Sequence, residues 1–514
     1  MTPNPLLARL PRPLALALSS VLLVLGVVAL GRASTGQTTA AADSERTPLE
    51  RALAAVDAGR IGIDLDFIAS DALAGRDSPS PGLRIAARYI RARLQRLGIS
   101  PGAPEESYFY EYELVASPLD VEGCRLEVNG SGRSLSFSAG RDYFFGSGNA
   151  GYELDRKAEA VWCGLGRRED YVPDARGKWA VCLDVGQPTD ALVRTAYAAS
   201  VAGLIVIPSA DYSGDPYPQR FAGQLATARM GRVSYPGSAV NTNRVSRLYL
   251  TRERGLELLG LSAALPAGVE PADWTPEVGQ DLGLDVNELR RLVADGGRVT
   301  MENVCGFWPG SHPVKSKEVV IVSAHYDHVG TDGDDIFNGA DDNGTGTCGL
   351  MALAEALTAH GPLERSILLI WVSAEEKGLL GSRAWSDNPW LPEGCRPVAN
   401  INIDMIGRNA ADQLLYTPTE ELAQYYNDLA QVTEKLAPLE GFTDLGSADA
   451  YYFRSDQANF ERLGIPVMFL FTDIHGDYHQ PTDTPDKIDT DKVRRVVRTV
   501  VRMLVELDDK DLRR

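Results

Sequence analysis

Histidine is scarce in this sequence of 514 residues. None precedes residue 312, so any histidine chemistry must lie in the C-terminal part of the chain. Cysteine is equally sparse and forms no CxxC pair, which argues against a cysteine metal site. The chain also lacks an HExxH motif, which excludes the proteases that hold a single zinc ion from one helix. The six histidines are His312, His325, His328, His360, His475 and His479.

Basic residues are outnumbered by acidic ones. Lys and Arg total 51 and Asp and Glu total 70, so the formal net charge is −19. Binding of nucleic-acid phosphates requires a basic surface, and we therefore expect no nucleic-acid partner. Hydrophobic residues make up 44% and charged residues 24%, a balance typical of folded domains rather than disordered chains. The length allows about two to four domains.

Only one apolar run is long enough to enter a membrane. Residues 13–30 carry no charge, Arg9 and Arg12 precede them, and small residues around Ala33 offer a cleavage site. This pattern predicts a signal peptide over residues 1–33, with an uncleaved N-terminal membrane anchor as the alternative. Both interpretations place the rest of the chain outside the cytoplasmic membrane, where it would be periplasmic, secreted or tethered through residues 13–30. Residues 34–47 are polar and small, and we expect a flexible linker there.

Changes in residue pattern divide the remaining chain into three parts. We expect residues 48–115 to be the N-terminal part of the catalytic domain, with a helix that begins at Ser80 and Pro81 and ends at Gly98. Residues 116–290 alternate short β-rich runs with turns, and contain neither histidine nor an obvious set of catalytic groups. We expect a structural or substrate-shaping module there. Residues 291–514 show regular α/β alternation and form the expected catalytic domain.

Buried strands and helices alternate in this last part. Continuous apolar runs over 319–324, 366–372, 398–403 and 465–471 predict buried strands, most of them parallel. The pattern predicts an α/β fold with a doubly wound mixed sheet flanked by helices. Such sheets bind ligands beyond the carboxyl ends of their strands.

Polar side chains cluster at the predicted strand ends. Any one of them would more often be a solvated surface residue, but surface charge has no reason to recur at the same sheet edge. Imidazole and carboxylate groups suit zinc and related divalent metals, and one carboxylate can bridge two ions. A remaining carboxylate could serve as a base, and the adjacent pair of glutamates suits that division. The residues are His325, Asp327, Asp341, Asp342, Glu375, Glu376, Asp404 and His479.

These motifs resemble those of the M28 family of zinc aminopeptidases in order and spacing. The matching segments are SAHYDH, NGADDNGTG, SAEEKGLLGS, NIDMIGR and DYHQPTDT, at 323–328, 338–346, 373–382, 402–408 and 477–484. The resemblance implies the zinc aminopeptidase fold. Residues within 116–290, including DARGKWAVCLDV, resemble more faintly a protease-associated (PA) domain inserted into such peptidases.

The resemblance also implies roles for single residues. Two Zn²⁺ ions, or Co²⁺ or Mn²⁺, would share Asp341, and Glu375 would act as general base. Asp327 and Asp342 would support the metal ligands from behind, and the Asp341–Asp342 peptide bond would be cis. Tyr452 would stabilise the oxyanion, and His328 would lie near the site without binding metal. The implied metal ligands are His325, Asp341, Glu376, Asp404 and His479.

The expected function is hydrolysis of N-terminal residues from peptides with a free N-terminus. A carboxypeptidase or amidase on the same scaffold is one alternative. An acyl transferase resembling glutaminyl cyclases and a non-catalytic receptor-like ectodomain are two others. The sequence leaves side-chain preference, disulfide pairing and oligomeric state open.

Overall fold

The computed structural model contains twenty strands and twelve α-helices within its described residues. The structure describes residues 46–146, 152–186, 189–210, 212–238, 245–261, 276–293, 297–332, 334–510 and 512. The predicted signal or anchor segment and residues 34–45 of the predicted linker lie outside the described residues. Within these described ranges, no helix is long and apolar enough to cross a membrane.

The strands are numbered β1 to β20 along the described chain. They are β1 Ser100–Pro101, β2 Phe109–Ser117, β3 Arg125–Gly130, β4 Arg133–Ser138, β5 Tyr143–Phe145, β6 Leu154–Trp162, β7 Trp179–Asp184, β8 Gly203–Pro208, β9 Arg232–Ser234, β10 Ser246–Leu250, β11 Asp281–Arg290, β12 Arg298–Trp308, β13 Glu318–His325, β14 Gly330–Asp332, β15 Asp335–Phe337, β16 Ser366–Val372, β17 Arg396–Ile403, β18 Gln413–Thr417, β19 Asp444–Ser447 and β20 Val467–Phe471.

The α-helices are numbered in the same way. They are α1 Pro48–Ala55, α2 Ala58–Ile68, α3 Pro81–Leu97, α4 Thr189–Ala198, α5 Tyr217–Arg220, α6 Ala222–Met230, α7 Arg252–Leu259, α8 Gly346–His360, α9 Leu380–Asp387, α10 Asp428–Leu436, α11 Gln457–Glu461 and α12 Thr490–Leu507.

The larger sheet is mixed, as the sequence predicts. Its strand order is β19-β18-β20-β17-β13-β16-β12-β2-β9, and β1 pairs with β12. The four central strands β20, β17, β13 and β16 are parallel, and β18 and β12 flank them in antiparallel orientation. Residues of β13 and β16 are almost all buried, which explains their unbroken apolar sequence. The predicted α/β fold class is confirmed.

Helices cover this sheet and their ends follow the sequence signals. Helices α1, α2, α3 and α12 all contact α8, while α9 and α11 contact each other. Ser80 Oγ accepts a hydrogen bond from the Leu83 N–H at 3.0 Å and caps α3. Gly98 ends that helix in the left-handed conformation at φ 73°.

A second, eight-stranded sheet lies within residues 125–290. Its order is β4-β3-β11-β6-β7-β8-β10-β5, and it has its own buried apolar core. Glu288 and Arg290 form a fully buried ion pair at 2.6 Å in this unit. One strand from the same stretch, β9, instead pairs with β2 of the larger sheet. The domain boundaries at 116 and 290, and the PA assignment, stay predictions.

Candidate metal centre

Three neighbouring parallel strands deliver polar side chains to one edge of the larger sheet. His325 is the last residue of β13, and Asp404 directly follows β17. Glu375 and Glu376 follow β16 after two intervening residues. Because β13 lies between β16 and β17, these carboxyl ends are adjacent. The predicted residues therefore meet in one place.

A first group of donor atoms surrounds His325. Its Nε2 lies 3.3 Å from Asp342 Oδ1 and 3.3 Å from Asp404 Oδ1. Its Nδ1 lies 3.2 Å from the Asp327 carbonyl oxygen, a contact that favours a proton on Nδ1 and leaves the Nε2 lone pair for a cation. Ser455 Oγ donates to the other Asp404 oxygen at 2.8 Å. The donor atoms of His325, Asp342 and Asp404 all lie within 4.8 Å of one another.

A second group shares Asp342 with the first. Asp342 Oδ2 lies 3.0 Å from His479 Nε2, and His479 Nε2 lies 3.1 Å from Glu376 Oε1. His328 Nδ1 lies 3.1 Å from the same Glu376 oxygen. These four donor atoms all lie within 4.8 Å of one another. Asp342 thus presents one oxygen to each group.

The charge of the cluster fits bound cations. Burial lowers the pKa of His479, but Asp342 and Glu376 outweigh it and raise that pKa to about 10. Burial also lowers the pKa of His325. The neighbouring carboxylates, first among them Asp404, outweigh burial and raise that pKa well above its ordinary value. Both imidazoles would hold protons unless another cation satisfied the carboxylates. Asp342 Oδ2, Glu376 Oε1 and His479 Nε2 also have no hydrogen-bond partner within the described structure. Unpaired buried polar atoms are costly, and divalent ions would satisfy them.

Glu375 stands beside both groups but belongs to neither. Its backbone N–H donates to Asp327 Oδ1 at 3.1 Å, and its side chain lines the pocket at the cluster. Burial raises the pKa of Glu375 well above its ordinary value, partly offset by His325. A carboxylate with these surroundings holds a proton readily, as a general base requires.

A small pocket opens onto the donor groups. It has a volume of about 50 Å³ and includes His325, Asp342, Glu375, Glu376 and Asp404 in its wall. The wall also carries aromatic and aliphatic side chains together with Ser455 and a single arginine. Those residues are Met405, Tyr451, Arg454, Phe469, Phe471, Ile474 and Tyr478.

Comparison with known proteins identifies this region. The model of Peptidase family M28 matches residues 303–504. Residues 303–504, called the M28 segment below, are thus similar to peptidase family M28. The M28 segment contains both donor groups, Glu375 and the pocket.

Curated relatives and a solved structure are also similar to this chain. A "Probable leucine aminopeptidase" of Arthroderma otae is 33% identical over 210 residues, which cover 38% of this chain and 56% of the relative. "Aminopeptidase YwaD" of Bacillus subtilis is 26% identical over 286 residues, covering 53% of this chain and 60% of the relative. The chain thus spans little more than half the length of these relatives. The fold of BSAP, a zinc aminopeptidase from Bacillus subtilis, covers 88% of this chain and 95% of that chain at a TM-score of 0.52 and 21% identity.

The metal-bridging role predicted for Asp341 is wrong. Asp341 Oδ1 accepts hydrogen bonds from the Gly407 N–H at 2.8 Å and from Thr345 Oγ1 at 3.0 Å. Its Oδ2 lies 3.3 Å from His475 Nε2 and belongs to neither donor group. Asp342, predicted to support the ligands from behind, is the shared residue instead. The cis peptide bond is correspondingly Asp342–Asn343, one residue later than predicted.

Tyr452 is not part of the pocket wall, contrary to the predicted oxyanion role. Its ring stacks on Tyr425 at 4.5 Å between centroids and contacts Phe453 edge to face. The short helical turn at Asp449–Tyr451 directs the preceding ring, Tyr451, into the pocket wall. Tyr478 also lines the wall and stacks on His479 at 3.9 Å.

One further residue of the centre, Asp483, was not singled out from the sequence. Asp483 accepts hydrogen bonds from the Asp341 N–H at 3.0 Å and the Asp342 N–H at 3.2 Å, and so fixes the loop that carries the shared carboxylate. Asp483 lies within the DYHQPTDT motif, and that position could have indicated from the sequence that it belongs to the centre. His328, expected near the site without binding metal, lies among the donor atoms of the second group.

Proposed function

We propose that this protein is a dinuclear metal-dependent aminopeptidase. The observation that carries the proposal is the division of the Asp342 carboxylate between two donor groups. Oδ1 lies 3.3 Å from His325 Nε2, and Oδ2 lies 3.0 Å from His479 Nε2. One carboxylate shared in this way bridges two metal ions about 3.5–4 Å apart in hydrolases. The mixed imidazole and carboxylate donors suit zinc, with Co²⁺ and Mn²⁺ as alternatives.

The ligands divide between two positions. His325 and Asp404 would hold one ion, Glu376 and His479 would hold the other, and Asp342 would bind both. Ions bound there supply Lewis acidity that polarises the scissile carbonyl and lowers the pKa of water toward ~7. The matching M28 family and the zinc aminopeptidase fold support zinc at both positions.

Glu375 is the proton carrier of the proposed reaction. It accepts a proton from the attacking water and returns it to the leaving amine. Asp327 holds its backbone through the Glu375 N–H, and Ser78 Oγ donates to the second Asp327 oxygen at 3.0 Å. Both glutamates of the pair therefore follow β16 in a fixed loop, with only Glu376 among the metal donors.

The substrate class follows from the relatives and the pocket. Three of the curated relatives are named aminopeptidases, and two of these three are named probable leucine aminopeptidases. The apolar wall, including Phe469, Phe471 and Ile474, is suited to an apolar N-terminal side chain. We expect peptides with a free N-terminus as substrates.

Metal analysis combined with a substrate panel tests this proposal. The purified protein should contain two zinc ions per chain and release leucine from leucine p-nitroanilide and from Leu-Gly-Gly. Acetylated Leu-Gly-Gly should be resistant, and excess chelator should abolish turnover until zinc is restored. Faster cleavage of the blocked peptide would indicate a carboxypeptidase or amidase. Turnover that persists with all metal removed would contradict the proposal.

Export is a further part of the proposal. The charge-free run at 13–30 after Arg9 and Arg12 supports translocation of the remaining chain. A C-terminal tag on the full chain, followed by cell fractionation and N-terminal sequencing, tests it. Mature protein that begins after Ala33 outside the cytoplasm indicates cleavage, and intact protein in the membrane fraction indicates an anchor. A cytoplasmic location would contradict export.

A further inference from the structure

A third imidazole points into the second donor group. His328 Nδ1 lies 3.1 Å from Glu376 Oε1 and 3.7 Å from Asp342 Oδ2. The residue is fully buried, and neither of its ring nitrogens has a hydrogen-bond partner within the described structure. A buried imidazole with no partner in the protein is costly unless something else binds it.

The surrounding backbone fixes the His328 ring in this position. Gly339 has φ 56°, and a Cβ atom there would lie 2.4 Å from Cγ of the His328 ring, so only glycine fits against it. The Arg76 guanidinium donates to the carbonyls of Tyr326 at 2.9 Å, Asn338 at 2.7 Å and Gly339 at 2.9 Å. The His328 N–H in turn donates to the Arg76 carbonyl at 3.2 Å. Gly339 therefore packs against the ring, and Arg76 fixes the backbone segments on which His328 and Gly339 lie.

The distances agree with four donors around one ion. Tetrahedral zinc with ligands at about 2.0–2.2 Å separates neighbouring donor atoms by roughly 3.3–3.6 Å. His328 Nδ1 and His479 Nε2 each lie 3.1 Å from Glu376 Oε1. Their distances to Asp342 Oδ2 are 3.7 and 3.0 Å.

We propose that His328 is a fourth protein ligand, through Nδ1, of the ion held by Asp342, Glu376 and His479. This inference rests on the proposed dinuclear centre. It makes the two positions unequal, because four protein donors close one position, whereas three donors leave the other with an open coordination site. Closed four-donor zinc sites are typical of tightly held ions, and open ones of ions that act on substrate. The second position should therefore fill first.

Nuclear magnetic resonance of the cadmium-loaded full chain tests the ligand directly. Protein labelled with ¹⁵N-histidine and loaded with two equivalents of ¹¹³Cd²⁺ should show ¹¹³Cd–¹⁵N coupling for three histidines, with His328 coupled through Nδ1. His328→Asn should leave coupling for His325 and His479 only. His360→Asn, at the distant end of α8, should retain all three couplings. In zinc titrations of the metal-free protein, His328→Asn should raise Kd of the tighter site at least about tenfold and spare the weaker site.

The outcomes separate this inference from the proposed function. Coupling of His325 and His479 without His328 in the wild-type protein would overturn the inference and leave the dinuclear centre intact. Absence of coupling for every histidine would refute the centre itself. The wild-type spectrum decides even if His328→Asn fails to fold, and zinc X-ray absorption, counting three imidazoles rather than two for two ions, checks it independently.

Discussion

The backbone N–H of Glu375 donates a hydrogen bond to Asp327 Oδ1 at 3.1 Å. Asp327 is fully buried, and its other oxygen accepts from Ser78 Oγ. Ser78 Oγ also accepts from the Ala374 N–H at 3.1 Å. The Asp327 carboxylate therefore sets the position of the proposed base, while the backbone carbonyl of Asp327 lies 3.2 Å from His325 Nδ1.

Removal of this support should impair turnover more than metal binding. We expect Asp327→Ala to lower kcat by roughly 10–100-fold, because the Glu375 loop loses its anchor, while two zinc ions still bind at saturation. Steady-state kinetics and metal analysis of the same preparation measure both quantities. Asp335→Ala, an exposed acidic residue, is the matched control. An unchanged kcat would refute the positioning role.

Loss of the proposed base should lower kcat without changing the amount of bound metal. Glu375→Gln keeps the shape of the side chain but removes its ability to accept a proton, so kcat should fall by at least about 10²-fold. Bound zinc should remain at two ions per chain, because Glu375 belongs to neither donor group. Glu393→Gln, on the surface, should behave like the wild type. Activity retained within about tenfold would show that another group takes the proton.

The adjacent aspartates should differ sharply in their effect on metal. Asp342→Asn removes the negative charge and one of the two oxygens that the donor groups share, so it can no longer bridge them, and we expect dialysed protein to lose both ions. Asp341→Asn changes a residue that contacts Gly407 and Thr345, so two ions should still bind, with affinity reduced by roughly 10–100-fold. Elemental analysis after dialysis against graded free zinc gives the comparison. Equal losses for both variants would contradict the assignment of Asp342 as the shared ligand.

The tyrosines offer a parallel test of the pocket wall. Tyr478→Phe alters the polarity of the wall beside His479, and we expect kcat/KM to fall by roughly tenfold or more. Tyr452→Phe alters a ring that stacks on Tyr425 outside the wall, and kcat/KM should stay within about threefold of wild type. Hydrolysis of leucine p-nitroanilide measures both. The reverse order of effects would restore the role first predicted for Tyr452.

The buried ion pair of the second sheet should matter far more than an exposed pair. Glu288→Gln leaves Arg290 as an uncompensated buried charge, which should lower the free energy of unfolding of that unit by about 3–5 kcal/mol. Glu113→Gln removes an exposed partner of Arg298, 69% exposed, and should cost less than about 1 kcal/mol. Urea unfolding followed by tryptophan fluorescence compares them. Similar midpoints for both variants would contradict this ranking.

The strands of the larger sheet were predictable because burial on both faces leaves a direct mark on sequence. The runs at 319–324, 366–372 and 398–403 became β13, β16 and β17, and His325, Glu375 and Asp404 follow from their ends. Sheet order depends on contacts between distant segments, and short antiparallel strands such as β9 give only a weak local signal. The return of β9 to the larger sheet was therefore not foreseen.

The wrong predictions at the site concern residues whose side-chain direction is set by a loop rather than by a strand. Successive residues of a strand point to opposite faces, but Asp341 and Asp342 lie in the helical turn 340–345, which is interrupted at Asp342 and Asn343. The φ and ψ angles of that interruption decide which carboxylate faces His325. No sequence pattern encodes that choice. His328 is three residues past β13, and its direction depends on contacts with Arg76 and Gly339, which are distant in sequence.

Arg76 and Ser78 precede the second sheet in the sequence. They nevertheless form hydrogen bonds with Tyr326 and Asp327, which lie more than 240 residues later in the chain. A gene fragment that encoded only residues 291–514 would therefore produce every proposed metal ligand without the braces that aim them. The second sheet, in contrast, contributes none of the proposed metal ligands. Any replacement of the middle of this chain would have to keep β9, which pairs with β2 of the larger sheet, and the segments before and after it would have to be inherited together.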